Sequence, residues 1–325
     1  MISRISRLLT TILTLTLLRS TPTASHRLSH RQTDDPIRTI YQFPQDGHVE
    51  NIAVRANGNL LVTYVTQPEL YEIDPFTPTA RANLIHTFPE NHGVYGIEEI
   101  GEDVFAVATQ IYDYMTGQPV VGSGTVWRVD MGAEGETGEI ATIPEAQFPN
   151  GLTGLRSGGA SAAAASAALV SDSLVGCVWK VDLLGSGVVE KILDLESMHM
   201  GDMPPGINGI LVQGNMLYYT NMGTGVFYSL PLKEDGSADG EPTVIAEGIQ
   251  GDDFDIDGDG NVYIAANTEN TLYKISAAGE VSVASIDVLL GGLTSAHFGR
   301  TEADSRILYV ATAQGRVVAV DVDLL

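Results

Sequence analysis

Four short motifs place a carboxylate or an amide side chain just ahead of an apolar segment. They are centred on Glu50, Asn150, Asn208 and Asp252. Carboxylate and amide oxygens are ligands that Ca²⁺, Mg²⁺ and Mn²⁺ accept. Asn, Asp and Gly also favour turns, because they tolerate left-handed backbone conformations, so each motif alone has a purely structural interpretation. If the four motifs converge in space, we expect them to form a divalent-cation site.

Two further motifs complete the series, and they bring side chains that can donate hydrogen bonds. They read Tyr95-Gly96-Ile97 and Ser295-Ala296-His297, and the six motifs recur at intervals of 43 to 58 residues. The Tyr95 hydroxyl, the His297 ring and the Asn amides are all donors. A bound molecule that develops negative charge on an oxygen could be stabilised by such groups.

The segments that lead into the motifs are rich in methionine and aromatic residues. Methionine side chains adapt to apolar ligands of irregular shape. The alternative is that several of these residues pack inside the fold. We expect a hydrophobic small molecule as the partner, and we assign its binding to Phe148, Met200, Met203, Phe254 and Asn51.

Composition excludes several other functions. The chain has 41 Asp and Glu against 17 Lys and Arg, a formal charge of −24. Nucleic-acid binding requires clustered basic residues, so we expect no nucleic-acid partner. The single cysteine, Cys177, excludes an intrachain disulfide and a Cys-x-x-Cys zinc site. No nucleophile-elbow serine motif, zinc-protease motif or phosphate loop is present.

The first 24 residues resemble an export signal. Arg4 and Arg7 precede an apolar stretch from Leu8 to Leu18, and small residues follow near Ala24. The stretch is too short to cross a bilayer, and an amphipathic targeting helix or a leftover anchor is the alternative. We therefore predict a signal peptide over 1–24, a linker over 25–36, and a protein that is secreted or lies in the secretory-pathway lumen, with no membrane association after cleavage.

Each motif opens a repeat of short alternating strands. Second strands such as Leu60–Val65 and third strands such as Leu70–Pro75 alternate apolar and polar residues, which is typical of half-buried antiparallel strands. A fourth strand follows in five repeats, but the chain ends before a sixth one. An isolated strand, Ile37–Phe43, precedes the first repeat instead.

This displaced strand predicts a closed ring. An all-β, six-bladed β-propeller over residues 37–325, closed by the N-terminal strand completing the last blade, accounts for every repeat. A pair of β-sandwiches or an open solenoid is the alternative. In a propeller the first strand of each blade lines a central channel, so the six motifs would meet at one end of it.

The motifs and architecture resemble the gluconolactonase/regucalcin-like family of six-bladed propellers over about residues 37–325. The family's Pro-Asn-Gly motif matches Pro149-Asn150-Gly151, and its second Asn-Gly with a later Tyr-Tyr-Thr matches Asn208-Gly209 and Tyr218-Tyr219-Thr220. The resemblance implies that Glu50, Asn150, Asn208 and Asp252 bind a divalent cation. It also implies that Asp252, or Asp253 one residue on, acts as a base in lactone hydrolysis.

Two departures favour a different chemistry. Glu50-Asn51-Ile52 stands where the family has Glu-Gly-Pro, and the polar, Arg-bearing segment expected before Asn150 is replaced by Glu145–Pro149. The amino-acid sequence of the first repeat instead resembles that of a fungal secreted branch of the family. That branch includes hetero-Diels–Alderases, which join a reactive quinone methide to a terpene alkene.

Three functions follow from the sequence. The first is a secreted [4+2] cyclase of the hetero-Diels–Alder type that needs no cofactor. The second is a metal-dependent lactone or ester hydrolase, and the third is a non-enzymatic propeller that binds an apolar ligand. For the cyclase we assign catalytic roles to Asn208, Asp252, Tyr95 and His297. The sequence does not indicate an oligomeric state.

Overall fold

The computed structural model describes residues 35–44, 47–113, 115–156 and 164–325. The predicted signal peptide over 1–24 and most of the predicted linker over 25–36 lie outside these residues. So does most of the small-residue insert that follows Arg156. No helix in the described part of the chain is long and apolar enough to cross a membrane.

Six four-stranded antiparallel sheets form the six blades, as the sequence predicts. The first strand of each blade lies at one edge of its sheet and is the innermost. In blades 1 to 6 the inner strands are Val49–Val54, Gly93–Gly101, Pro149–Leu155, Ile207–Gln213, Phe254–Ile256 and Leu293–Phe298.

The remaining strands of each sheet follow in chain order toward the outside. The second strands are Leu60–Tyr64, Val104–Gln110, Ala167–Asp172, Met216–Asn221, Val262–Ala266 and Ile307–Thr312. The third strands are Glu69–Ile73, Gly124–Asp130, Cys177–Asp182, Val226–Pro231, Thr271–Ile275 and Arg316–Asp321. The outer strands of blades 1 to 5 are Ala82–Thr87, Glu136–Ile143, Val189–Leu193, Thr243–Glu247 and Val281–Ser285.

The displaced strand closes the ring. Ile37–Gln42 is the outer strand of blade 6 and pairs antiparallel with Arg316–Asp321, so that Ile37 lies opposite Val320. The first and last strands of the propeller thereby share one sheet, and the prediction of closure by the N-terminal strand is confirmed.

The core confirms the closed ring. Buried apolar residues form six clusters, one between each pair of neighbouring blades, including the pair formed by blades 6 and 1. Two β-sandwiches or an open solenoid would not bury apolar residues between the first and last repeats. Each blade is thus held by its two neighbours, which is how propellers protect their sheet faces.

Within the described residues, one short hairpin and three 3₁₀ turns lie outside the blade sheets. A hairpin of Tyr112–Asp113 and Gln118–Pro119 projects from blade 2 after its second strand. Three 3₁₀ turns, Met131–Ala133, Glu196–Met198 and Val288–Leu290, lie in connections between strands.

Candidate functional site: a polar channel with two ends

Four of the six motifs are β-bulges in the inner strands. In blades 1, 3 and 4 the pairing with the second strand shifts by one residue at the motif, so two motif residues lie opposite a single residue of the partner strand. Blade 2 has the same shift. A bulge interrupts the alternation of side chains and re-aims them. Both residues of a motif can therefore direct their side chains toward the channel. In a regular strand, consecutive side chains would point to opposite faces of the sheet.

A buried hydroxyl lies opposite each of the three bulges in blades 1, 3 and 4. Thr63 Oγ1, Ser171 Oγ and Thr220 Oγ1 accept hydrogen bonds of 2.8 to 3.0 Å from the backbone N–H of the second motif residue. Ser171 also donates to the Asn208 carbonyl of the next blade at 2.6 Å. Thr220 donates to the Asp252 carbonyl in the same way, also at 2.6 Å. The hydroxyls fix the motifs of blades 4 and 5 to the preceding blade.

Glycine occupies the second motif position in blades 2, 3 and 4 because the neighbouring backbone is close. A Cβ on Gly96 would lie 2.2 Å from the Asn150 carbonyl oxygen, and one on Gly151 would lie 2.5 Å from that of Asn208. These approaches narrow the channel where the strands begin. Blade 1 differs, because Asn51 stands at the equivalent position.

We call the end where the inner strands begin the motif end. Glu50, Asn150, Asn208 and Asp252 are all buried there. The charge of Glu50 and a hydrogen bond from Asn208 both act on Asp252, so these three side chains are neighbours. Asn267 Nδ2 donates a further hydrogen bond to Asp252 Oδ2 at 3.2 Å. The tertiary structure therefore brings together residues from blades 1, 4 and 5 as the sequence predicts.

Electrostatics at the motif end suit a cation. Burial, followed by repulsion from Glu50 and Asp253, raises the pKa of Asp252 well above its usual value. Glu50 Oε2 lies 2.7 Å from His48 Nε2. Two buried carboxyls and two amides are a donor set that a hard divalent cation accepts, so these residues fit the cation implied by the resemblance. In the described part of the chain, no group of three or more His, Cys, Asp or Glu is arranged to hold a metal.

A cavity of about 570 Å³ opens beside this cluster, between blades 1 and 2. Residues 65–68 and 90–93 line it together with His48 and Tyr112. The Tyr112 ring lies 4.9 Å from Phe148, whose ring is 5.1 Å from that of Tyr95. Phe148 thus connects the fully buried Tyr95 to Tyr112, which lines this motif-end cavity.

The apolar residues predicted to bind the substrate do not lie together in the structure. Met200 and Met203 lie on the surface ahead of blade 4, with exposed fractions of 43% and 65%. Phe254 is fully buried and packs edge-on against Phe227 at 4.8 Å. The Phe254 ring belongs to the core between blades 4 and 5, and its residue borders the opposite end of the channel.

Asn51 and His297 lie deeper in the channel than the motif-end cluster. Asn51 Nδ2 donates to Asp253 Oδ2 at 2.7 Å, and His297 Nε2 lies 3.1 Å from Asn51 Oδ1. The sequence groups His297 with Asn208 and Asp252, whereas the structure joins it to Asp253. The reason is the register of blade 6, in which His297 comes after the bulge between Leu293 and Ser295 and not within it.

A second cavity, of about 250 Å³, opens where the inner strands end, and we call it the far-end cavity. Burial raises the pKa of Glu98 in its wall to about 7. Burial also raises the pKa values of Asp253 and Asp255, against the opposing charge of His297. The polar residues that line this cavity are Glu98, Glu99, Arg156, Asp253, Asp255, His297 and Arg300.

The sequence analysis did not find most of this far end. Asp253 and Asp255 are spaced by two where the inner strand Phe254–Ile256 begins, so they can face the same side, and this spacing was the available signal. Glu98 and Arg156 carry no such signal, because only the ring geometry brings blades 2 and 3 to the same cavity. His48 was also not assigned, although it contacts Glu50.

Comparison with known proteins supports the predicted resemblance. No family model matches the chain. A Sarocladium schorii protein is 27% identical over 316 residues, covering 85% of this chain and 77% of that protein. A Phoma protein is 26% identical over 323 residues, covering 89% of each. Both are named "Putative hetero-Diels-Alderase". This chain is a sequence relative of the hetero-Diels–Alderase-named proteins.

Solved structures share the fold of this hetero-Diels–Alderase relative. A gluconolactonase from Xanthomonas campestris has a TM-score of 0.64 at 13% identity, with 88% of each chain covered. Regucalcin, a calcium-binding protein from Agrobacterium tumefaciens, has a TM-score of 0.61 at 16% identity, with 87% of this chain and 92% of that chain covered. At these identities the similarity concerns the fold alone. It confirms the gluconolactonase/regucalcin-like six-bladed architecture.

Proposed function

We propose that this protein is a secreted [4+2] cyclase that joins a reactive, polyketide-derived quinone methide to a terpene alkene. The observation that carries the proposal is the similarity, over most of the chain, to two fungal proteins named as hetero-Diels–Alderases. The protein is then an enzyme of natural-product biosynthesis, and its partner is a hydrophobic small molecule.

The chemistry of this reaction sets modest demands on the protein. The O=C–C=C unit of the quinone methide adds to the alkene, so one C–C bond and one C–O bond form and no group leaves. No covalent nucleophile is needed. The protein must orient two apolar partners and place a hydrogen-bond donor on the carbonyl oxygen, where negative charge develops.

The motif end offers both elements. A cavity of about 570 Å³ is within the range of ligand sites in proteins, and its lining residue Tyr112 contacts Phe148, which packs on Tyr95. The raised pKa of Asp252 favours the protonated carboxyl, which can donate a hydrogen bond. Asn208 supplies an amide donor. We propose that Tyr95, Asn208 and Asp252 stabilise the developing oxyanion there.

Product stereochemistry tests this proposal directly. A quinone methide is generated in solution from a masked precursor and mixed with a terpene alkene, with and without the purified protein. With an achiral terpene alkene the uncatalysed reaction gives a racemic adduct, so we expect an enantiomeric excess on chiral chromatography only when the protein is present. A racemic adduct formed at the background rate would contradict the cyclase.

A metal-dependent lactonase is the second candidate, and the donor set at the motif end favours it. Glu50, Asn150, Asn208 and Asp252 would hold the cation, which when bound supplies a Lewis acid that activates water. Lactone hydrolysis that is lost in chelator and restored by Ca²⁺, Mg²⁺ or Mn²⁺ would establish this function. Cyclisation that persists in chelator would support the cyclase without a cofactor. Binding of an apolar ligand without turnover of either substrate would support the third function, a non-enzymatic propeller that carries that ligand.

Export is part of the proposal and has its own test. Expression of the full chain in a fungal host should give protein in the medium whose N-terminus begins near residue 25. Full-length protein retained in the cell would contradict the signal peptide.

A further inference from the structure

Three residues from three blades form a hydrogen-bonded chain across the channel. Asp253 of blade 5 accepts from the Asn51 amide of blade 1, and His297 of blade 6 contacts the other side of that amide. The equivalents of Asn51 in blades 2, 3 and 4 are glycines. Blade 1 thus places a side chain where blades 2, 3 and 4 have none, and that side chain links blades 5 and 6.

The orientation of the Asn51 amide is fixed by its other contacts. Its Nδ2 donates to Asp253 Oδ2 at 2.7 Å, and its Oδ1 accepts from the Ile52 N–H at 2.8 Å. Oδ1 is therefore the atom that faces His297 Nε2 at 3.1 Å. Because a carbonyl oxygen only accepts, Nε2 must carry a proton. In the neutral ring the second nitrogen, Nδ1, is then the acceptor and the base.

The His297 ring borders the far-end cavity, and no described residue hydrogen-bonds to its Nδ1. A volume of about 250 Å³ has room for one ring and not for two joined partners. Ile52, Leu152 and Ile210 supply apolar walls. The free acceptor and the apolar walls together define a ligand with a flat apolar body and a single hydroxyl donor.

Charges around the cavity suit proton transfer to His297. Asp253 Oδ2 lies 3.9 Å from His297 Nε2, and the charge of His297 also opposes the rise that burial causes in the pKa of Asp255. Both carboxylates would stabilise an imidazolium. Arg156 and Arg300 also line the cavity, where they donate to the Glu99 and Val54 carbonyls respectively, and Arg300 pairs with the Glu99 carboxylate as well. Of the charges that line the cavity, the two guanidiniums favour a phenolate and the carboxyls of Glu98 and Glu99 oppose it.

We propose that the far-end cavity is a second site, which binds a neutral phenol and deprotonates it. The phenol O–H donates to His297 Nδ1, and the proton passes to the ring. A phenolate and an imidazolium result, so charge and atoms balance without an oxidant, a reductant or a metal. Asn51 is the positioning residue, because it selects the tautomer whose base faces the cavity. This site is separate from the motif end and does not depend on the proposed cyclisation.

A chromogenic phenol provides the test. The folded protein is titrated with 4-nitrophenol at a pH just below that at which the free probe ionises, and the phenolate band is recorded. We expect a saturable band of one equivalent with the wild type. His297→Gln, which keeps a donor toward Asn51 but has no base, should abolish the band and weaken binding at least about tenfold. Asn51→Gly should reduce the band, because the ring is no longer held in one tautomer.

Matched controls make the outcome decisive. His86→Gln removes a histidine that packs against Phe88 in blade 1 and should leave the band unchanged. Ala53→Leu adds volume to the cavity lining beside an intact His297 and should also abolish binding. Because Ala53 also packs in the core between blades 1 and 2, thermal unfolding verifies that this variant and His297→Gln are folded. The methyl ether 4-nitroanisole, which lacks the hydroxyl, should not compete. The absence of a saturable band in the wild type, or an undiminished band in His297→Gln or Ala53→Leu, would overturn the site.

Discussion

At the scale of single residues, burial decides the behaviour of the polar groups in the channel. Asp252 and Glu98 have raised pKa values chiefly because the fold removes water from them. They differ in their partners. Asp252 receives hydrogen bonds from Asn267 and Asn208, whereas no described residue donates one to Glu98. Asp252 is therefore held in place by hydrogen bonds, whereas Glu98 is stabilised only by the charges of Arg156 and Arg300.

Asn208→Ala should lower turnover in the cyclase assay by about 100-fold, because removing one oriented donor to a developing oxyanion has this effect in other enzymes. The fold should persist, since the backbone carbonyl of Asn208 still accepts from Ser171. Turnover is measured together with thermal unfolding. Asn83→Ala, on the exposed outer strand of blade 1, is the matched control. Unchanged turnover in Asn208→Ala would remove the motif end from the mechanism.

Glu98→Gln should stabilise the protein at pH 8 and have little effect near pH 4. The folded protein holds the Glu98 proton more tightly than the unfolded chain, with a pKa of about 7 against 4.5. This contribution to stability is fully present below about pH 4.5 and is lost as the pH rises through about 7. The shift corresponds to at most about 3 kcal/mol.

Thermal unfolding across this pH range measures the effect. Glu102→Gln removes an exposed carboxyl in the following turn and should leave the pH profile unchanged. A wild-type profile that Glu98→Gln reproduces at every pH would show that Glu98 is not buried in the folded protein.

At the scale of elements, the bulged inner strand is the unit that builds the site. Each bulge presents two consecutive residues, and in blades 2, 3 and 4 the second is a glycine that lets the neighbouring strand approach. In these three blades a side chain at that position would separate the strands, whereas blade 1 carries Asn51 there. The bulge therefore couples the placement of the polar side chains to the width of the channel.

Gly151→Ala should destabilise the protein by about 3 kcal/mol, because its Cβ would lie 2.5 Å from the Asn208 carbonyl oxygen and the inner strands would have to separate. The free energy of unfolding in urea measures the loss. Gly138→Ala, in the outer strand of the adjacent blade, places its Cβ in open space and is the matched control. Equal stability of the two variants would mean that the strands are not in close contact.

At the scale of the whole molecule, closure of the ring makes the channel. Phe43 follows the displaced strand, and its N–H donates to the Gly315 carbonyl at 2.8 Å. Its ring stacks on Tyr64 with a centroid distance of 4.8 Å and meets Tyr71 edge-on at 5.1 Å. This aromatic cluster joins the chain that completes blade 6 to blade 1. It therefore stabilises the contact between the first and the last blade of the ring.

Phe43→Ala should lower the stability of the propeller by about 3–5 kcal/mol, as expected for removing a buried aromatic ring. Phe43→Leu should cost less, because most of the apolar volume remains. Phe76→Ala, in which the ring is 37% exposed, is the control for loss of a phenylalanine at the surface. Equal unfolding temperatures for Phe43→Ala and Phe76→Ala would show that the closure does not depend on this cluster.

The sequence by itself determined the number of blades, the displaced strand and the buried polar motifs. These features are local, because alternation of apolar residues and turn-forming residues specifies each strand wherever it lies. Only the tertiary structure decided that Asn51 meets Asp253 and His297, that Glu98 and Arg156 share a cavity, and that the channel has two chemically different ends. Those contacts depend on bulge register and on packing between blades that are distant in the chain, and no local pattern encodes either of them.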